Sequence, residues 1–189
     1  MTVGILGGSF NPIHRGHIAL ARQLLTAAAL DEVWLMVSPQ NPLKQDTDLL
    51  DDHLRLLMAH TALQHEPRLQ ASDFEFSLPR PSYTWNTLQA LSEHHPQHRF
   101  ALIIGADNWL IFHRWYRHHD ILSHYPVIVY PRKDSPVDPS TLPTGVTLVN
   151  TRRHNVSSTE IRRRIRQGLP IDRLVPKSIV AMAEQYYKR

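Results

Sequence analysis

The sequence predicts a doubly wound α/β fold, with a mostly parallel sheet and helices on both of its faces. Three observations predict it. Short apolar runs alternate with segments of helical spacing along the chain, and strands separated by helices pair in parallel through right-handed crossovers. A glycine-rich turn, GGSF, follows the first apolar run and leads into a helical pattern. The chain has 189 residues, 42% of them hydrophobic and 20% charged, which suits one domain with a sizeable core rather than a disordered chain. The expected organisation is a single domain over residues 1–189, with a C-terminal helical part from about residue 157.

Thr2–Leu6 reads as a buried strand, and Ile18–Leu30 carries apolar residues at helical spacing. Glu32–Val37 is a second strand and Leu50–Leu63 a second long helix. Leu69–Phe74 is a strand, Thr84–Glu93 a helix and Arg99–Ile104 a strand. Trp109–Ser123 reads as a broken helix, followed by strands at Pro126–Tyr130 and Val146–Val149. Ser158–Gln167 and Ser178–Tyr187 close the chain as helices. The segment Pro131–Gly145 holds four prolines and few apolar residues, so it is expected to be a surface loop or a lid. In this fold class ligands bind beyond the carboxyl ends of the strands, near the point where strand order reverses.

Composition narrows the chemistry. The net charge of +4 with histidines neutral suits an anionic partner. There is no cysteine, which excludes disulfides, thiolate metal sites and thiol nucleophiles. No apolar run approaches the roughly 20 residues that span a bilayer. The opening MTVGILGGSF lacks the basic and long apolar regions of a signal peptide. The expectation is a cytoplasmic protein without a membrane partner. Of the 13 histidines, His94, His95, His98, His118 and His119 fall in polar stretches and read as solvated side chains.

Two motifs carry the functional signal. The first, GGSFNPIHRGH, spans Gly7 to His17 between a strand and a helix. Gly7 and Gly8 let the backbone turn sharply and approach a ligand. Pro12 stiffens the loop. His14 and His17, three residues apart, face one side, beside the free N–H groups of a helix start that favour anions. Neither GxxxxGK[ST] nor GxGxxG is present, which argues against P-loop hydrolysis and ordinary dinucleotide binding. An HxxH metal pair has no carboxylate or cysteine nearby in sequence. The second motif, SSTEIRRRI, begins at Ser157. Ser157 and Glu160 have capping-box spacing, so a helix starts there. It brings Ser158, Thr159 and their N–H groups to a phosphate-binding end, with Arg162 adjacent as a bidentate clamp. Arg163, Arg164 and Arg166 belong to a solvated face.

HxGH after the first strand, with SxTxxR late in the chain, resembles the nucleotidylyltransferase superfamily. PQNPLK (Pro39–Lys44), SYTWNTL (Ser82–Leu88), IIGADNW (Ile103–Trp109) and RWYRHHDIL (Arg114–Leu122) narrow the resemblance to its bacterial nicotinate-nucleotide adenylyltransferases, in order across nearly the whole chain. The resemblance implies a Rossmann-like nucleotidylyltransferase fold and ATP and nicotinate mononucleotide as small-molecule partners. It implies that Mg2+ is bound mainly through the ATP phosphates, with no protein metal site. Gly7, Gly8, Ser9 and Phe10 would line the ATP site. His14 and His17 would meet the phosphates, with His17 near the reacting α-phosphorus. Ser158, Thr159 and Arg162 would hold the departing phosphates, and Lys44 would add charge from a loop. His14, His17, Lys44 and Arg162 form the implied catalytic set. Gly105 and Asp107 would lie at the nucleotide ribose. Asn41, Lys44, Thr84, Trp115 and Tyr116 would form the pyridine-nucleotide pocket, with Trp115 stacking on the ring. Thr84 also reads as a helix cap.

Other readings compete. The same transfer to nicotinamide mononucleotide, phosphopantetheine or a choline-type phosphate keeps the chemistry and changes the acceptor. A basic nucleic-acid-binding module would use Arg162–Arg166, but no nucleic-acid signature accompanies that short run. A class I aminoacyl-tRNA synthetase fragment shares an HxGH-type element, but the chain is too short for that catalytic domain with its anticodon-binding part. Oligomeric state is not legible.

Overall fold

In the computed structural model, which describes residues 1–39 and 48–188, six strands form one sheet. They are β1 (Thr2–Gly8), β2 (Glu32–Val37), β3 (Leu69–Ser72), β4 (Arg99–Gly105), β5 (Val127–Tyr130) and β6 (Val146–Leu148). Their order is β3-β2-β1-β4-β5-β6, and every pairing is parallel. The chain steps outward from β1 to β3, then returns to the other side of β1 with β4. Strand order therefore reverses between β1 and β4, and a crevice opens beyond their carboxyl ends.

Seven α-helices lie among the described residues: α1 (Arg15–Ala27), α2 (Asp52–Leu63), α3 (Thr84–His94), α4 (Ala106–Leu110), α5 (His118–His124), α6 (Ser158–Arg166) and α7 (Val180–Tyr187). Helices α1, α2, α6 and α7 cover one face, where Leu24, Met58, Ile161 and Ala183 pack with Leu35, Ile103 and Ile128. Helices α3, α4 and α5 cover the other, where Leu88, Ala106 and Ile121 pack with Leu102, Ile104 and Val129. Successive strand residues point to opposite faces, so Ile103 joins one core and its neighbours Leu102 and Ile104 join the other. Burial on both sides explains the unbroken apolar runs of β2, β4 and β5. No described helix is long and apolar enough to cross a membrane.

Several boundaries depart from the sequence expectation for identifiable reasons. Helix α1 starts at Arg15, ahead of the apolar spacing, because His14 caps it. It stops at Ala27, and the chain turns through Ala29 at φ 49°. The strand expected to reach Phe74 ends at Ser72, and Phe74–Ser77 winds into a 3-10 turn that buries Glu75. The broken helix resolves into α4, a 3-10 turn at Phe112–Arg114, and α5. Thr84 is the first residue of α3 rather than its cap; Tyr83 takes the cap position and no side chain bonds there. His95 and His98 are not simply solvated. Their rings pack edge-on against Trp34, at 5.4 and 6.0 Å, because an imidazole is also a flat aromatic surface.

Candidate active site

One cavity of about 1550 Å³ occupies the predicted crevice. It exceeds the roughly 300–1,000 Å³ of a typical single-ligand pocket, so it has room for two substrates. The ends of β1, β4 and β5 form its floor through Gly7, Gly8, Gly105 and Tyr130. Ser9, Phe10, His14 and His17 close one side, with Ser158 and Thr159 beside them. Thr84, Trp115 and Tyr116 line the other. Asn41 and Lys44 lie outside the described residues.

The two histidines build a reciprocal cap. His14 precedes α1, and His17 is the third residue inside it. The His14 N–H donates to His17 Nδ1 at 3.2 Å, and the His17 N–H donates to His14 Nδ1 at 3.3 Å. A neutral imidazole that accepts at Nδ1 carries its proton on Nε2. Both rings therefore hold an Nε2–H as their remaining donor, and both line the cavity. Their centroids are 3.6 Å apart and the planes 17° from parallel. Burial, helped by the Arg132 charge, lowers His14 to about 4. Burial first, then His14 and Arg132, holds His17 well below the usual 6.5. The pair is thus neutral near pH 7. Gly16 makes room for it: a Cβ there would meet His14 Cε1 and Nδ1 at 3.0 Å.

The second motif meets the first. Ser157 Oγ accepts from the Glu160 N–H at 3.1 Å and caps α6. Only that half of the capping box forms, because the Glu160 carboxylate turns to Arg163 at 2.7 Å. Ser158 Oγ donates to Pro12 O at 2.9 Å and ties the start of α6 to the glycine-rich loop. Two helix N-termini, with their free N–H groups, thus converge on the cavity. Arg162, expected to clamp phosphate, is not among the residues that line the cavity. It is buried, donates through Nη1 to Asn11 O at 2.8 Å, and has Nε 3.9 Å from Asp48 Oδ2. Asn11 is fully enclosed: its Oδ1 accepts from Leu50 N–H at 3.1 Å and from the Tyr187 hydroxyl at 2.7 Å. Arg162 is buried on α6 beside Ile161 and Ile165, and its bond to Asn11 ties that helix to the loop.

Asp107 sits in the first turn of α4, with Oδ1 3.4 Å from Arg132 Nε. A Cβ at Gly105 would come within 2.4 Å of that Oδ1, so glycine lets the carboxylate fold back over the strand end. On the other side, Trp115 leans on Phe112 at 5.2 Å, and its Nε1 is buried without a hydrogen-bond partner among the described residues. Tyr116 is half exposed and lies 5.0 Å from Tyr83. Trp109 stacks on Phe112 at 5.3 Å and packs against the same core as Trp115, but it is not among the residues that line the cavity.

Three contributors escaped the sequence reading. The start of the proline-rich segment, Pro131–Asp134, lines the cavity and brings Arg132 and Lys133 to it. Arg55 is fully buried; it donates to Leu50 O at 2.8 Å, to Ser38 O at 3.1 Å, and to Ser9 O and Asp52. Its signal was visible, since an arginine shares the inward stripe of α2 with Met58, Ala59 and Leu63. Glu75, buried in the cavity wall, accepts from the Ser38 hydroxyl at 2.6 Å and the Thr87 hydroxyl at 2.8 Å.

Neutral donors and helix starts on one flank, with an aromatic wall on the other, suit two nucleotides meeting through their phosphates. This is the class of the nucleotidylyltransferases, and residues 5–164 match the family described as cytidylyltransferase-like. The chain is 48% identical over 168 residues to the probable nicotinate-nucleotide adenylyltransferase of Bacteroides fragilis, covering 89% of this chain and 84% of that one. It is 43% identical over 189 residues to the protein of the same name from Cytophaga hutchinsonii, covering 99% and 98%. The fold matches the Plasmodium falciparum nicotinic acid mononucleotide adenylyltransferase complexed with NaAD, with a TM-score of 0.77 at 18% identity over 98% of each chain. The chain belongs to the nicotinate-nucleotide adenylyltransferase family.

Proposed function

We propose that this protein transfers the adenylyl group of ATP to nicotinate mononucleotide, giving deamido-NAD and pyrophosphate. The observation that carries this reading is that the His14–His17 pair and the wall of Thr84, Trp115 and Tyr116 line one and the same cavity. The relatives' names point the same way.

The chemistry is an in-line displacement. A phosphate oxygen of the mononucleotide forms a bond to the α-phosphorus of ATP, the bond to the bridging oxygen breaks, and pyrophosphate leaves with that electron pair. The acceptor phosphate is largely ionised near neutral pH, with its second pKa near ~6, so no general base is needed. The chain contributes position and charge stabilisation. His14 and His17 donate from Nε2–H to the phosphate oxygens, with His17 nearest the α-phosphorus. Gly7, Gly8, Ser9 and Phe10 shape the loop around ATP. At α6, Thr159 and the free N–H groups receive the departing phosphates, since the Ser158 hydroxyl is committed to Pro12. Arg162 acts through the carbonyl of Asn11 and holds the loop from below. Gly105 and Asp107 receive the ribose. Thr84, Trp115 and Tyr116 receive the acceptor; Asn41 and Lys44 retain the roles that the resemblance implies.

The divalent ion, for which we propose Mg2+, enters as part of the nucleotide substrate. No described group of three His, Asp or Glu side chains is placed to hold a metal, and the cavity's charged lining is chiefly cationic, with Arg114, Arg132, Lys133, Arg152 and Arg153 against Glu75, Asp107 and Asp134. That donor set fits an ion coordinated by phosphate oxygens and water, which neutralises charge on the transferring group. The nucleic-acid reading is not favoured: Arg163 and Arg166 are engaged by Glu160 and Asp48. Small soluble substrates also fit the expected cytoplasmic setting.

The test is pyrophosphate release from ATP with Mg2+, using nicotinate and nicotinamide mononucleotides as separate acceptors. The expected result is strong release with the nicotinate form. Equal or better release with the amide overturns the acceptor assignment.

A further inference from the structure

Beneath the acceptor wall lies a buried polar junction that the transfer chemistry does not use. Glu75, in the 3-10 turn after β3, is 7% exposed. Oε2 accepts from the hydroxyl of Ser38, the residue after β2, at 2.6 Å. Oε1 accepts from the Thr87 hydroxyl in α3 at 2.8 Å. That hydroxyl also reaches Tyr83 O at 3.3 Å, and the Thr87 N–H donates to Tyr83 O at 3.1 Å. Thr87 lies one turn after Thr84, so the two share a helix face, and both line the cavity with Ser82 and Tyr83. Ser38 faces a second anchor, because its carbonyl accepts from the buried Arg55, which also donates to Ser9 O in the glycine-rich loop.

Stability alone does not account for a carboxyl in this position. A buried carboxyl loses hydration, and an apolar side chain of similar volume is often neutral or better for folding. Burial pushes the Glu75 carboxyl up, and the Ser38 and Thr87 hydroxyls pull it back down. Its two short hydrogen bonds join three separate segments, the end of β2 at Ser38, the 3-10 turn and α3, at one point in the cavity wall.

Resting on the adenylyl-transfer reading, we propose that Glu75 is a positioning residue for the acceptor mononucleotide, which clamps Ser38 to Thr87 and so sets the placement of the Ser82–Thr84 wall. Removing the clamp loosens the acceptor half while the His14–His17 side keeps its own bonds. The effect is therefore selective between the two substrates.

The experiment compares wild type with Glu75→Ala, Glu75→Gln and Thr87→Val. It measures KM for ATP and for nicotinate mononucleotide together with kcat, and checks folding by circular dichroism. Wild-type release with nicotinate mononucleotide tests the functional reading by itself. For Glu75→Ala the acceptor KM rises at least ~10-fold, as expected for a displaced positioning wall, with the ATP KM within about twofold. Glu75→Gln keeps the shape and one accepting oxygen and restores most of the loss. Thr87→Val, which removes one hydroxyl with little change of volume, gives a smaller rise of about threefold in the acceptor KM; it carries the test if Glu75→Ala does not fold. An acceptor KM unchanged, or raised no more than that for ATP, in an active folded variant overturns the inference alone. Silence of the wild type with the nicotinate and nicotinamide forms overturns the functional reading and this inference with it.

Discussion

The two ends of the cavity are built differently. At the phosphate end, the loop and the helix start are held by the chain's own hydrogen bonds. His14 and His17 cap each other, Ser158 holds Pro12, and Asn11 is held from Leu50, Arg162 and Tyr187. At the acceptor end the wall is aromatic and partly open. Tyr83 and Tyr116 are 36% and 50% exposed, and Trp115 Nε1 has no hydrogen-bond partner among the described residues. In the proposed reaction, phosphate recognition would rest on a loop and helix start that the chain already holds in place, and acceptor recognition on surfaces that the ligand covers.

The sharpest way to break this comparison is at the preorganised end. His17→Ala is expected to lower kcat by roughly 10²–10³, the usual cost of one transition-state donor, in a steady-state pyrophosphate assay. Near-normal turnover would remove His17 from that role. Next comes the scaffold beneath it. Arg55→Leu leaves the Ser9 and Ser38 carbonyls without their buried donor and should lower stability by about 3 kcal/mol in urea unfolding. A shift below about 1 kcal/mol would show that the loop does not depend on this anchor.

The histidine pair adds a pH effect whose sign follows from burial. Folding lowers His14 from 6.5 to about 4, so between these values the unfolded chain binds protons that the folded chain does not. Stability is therefore full above the unfolded value and falls as pH drops through that window, by roughly 2 kcal/mol at pH 5 for His14 alone. The drop in urea midpoint from pH 7 to pH 5 should be smaller in His14→Gln than in wild type; an equal drop would contradict the neutral pair.

At the open end the expected effects are smaller and fall on binding. Trp115→Ala should raise the acceptor KM about tenfold, the scale of one lost aromatic contact, and leave the ATP KM nearly unchanged. An equal change in both would merge the two ends. Smallest is Tyr187→Phe, which removes one hydrogen bond to Asn11 and should cost about 1 kcal/mol, read as a lower Tm with turnover retained.

The sequence was most legible where local rules decide the structure. Strand–helix alternation gave the parallel sheet, and the Gly7–His17 and Ser157–Arg162 segments were correctly placed at strand and helix ends, because periodicity and capping are short-range. It was least legible where a side chain's direction depends on distant packing. The motif spacing placed Arg162 near the start of α6, but its burial and its bond to Asn11, 151 residues away in sequence, were not legible there. Arg132 sat in a proline-rich stretch with no readable pattern, and only the end of β5 brings it to the cavity. Glu75 was hidden because its partners, Ser38 and Thr87, come from other elements. The HxxH spacing did contain the reciprocal cap, but reading it required knowing that His14 precedes the helix.

The most direct test of the account is to identify the product formed by the wild-type protein from ATP, Mg2+ and nicotinate mononucleotide, by chromatography with mass detection. Deamido-NAD is expected to appear in step with pyrophosphate, one for one. Conversion of ATP to ADP or AMP without a dinucleotide, or no conversion at all, would contradict it.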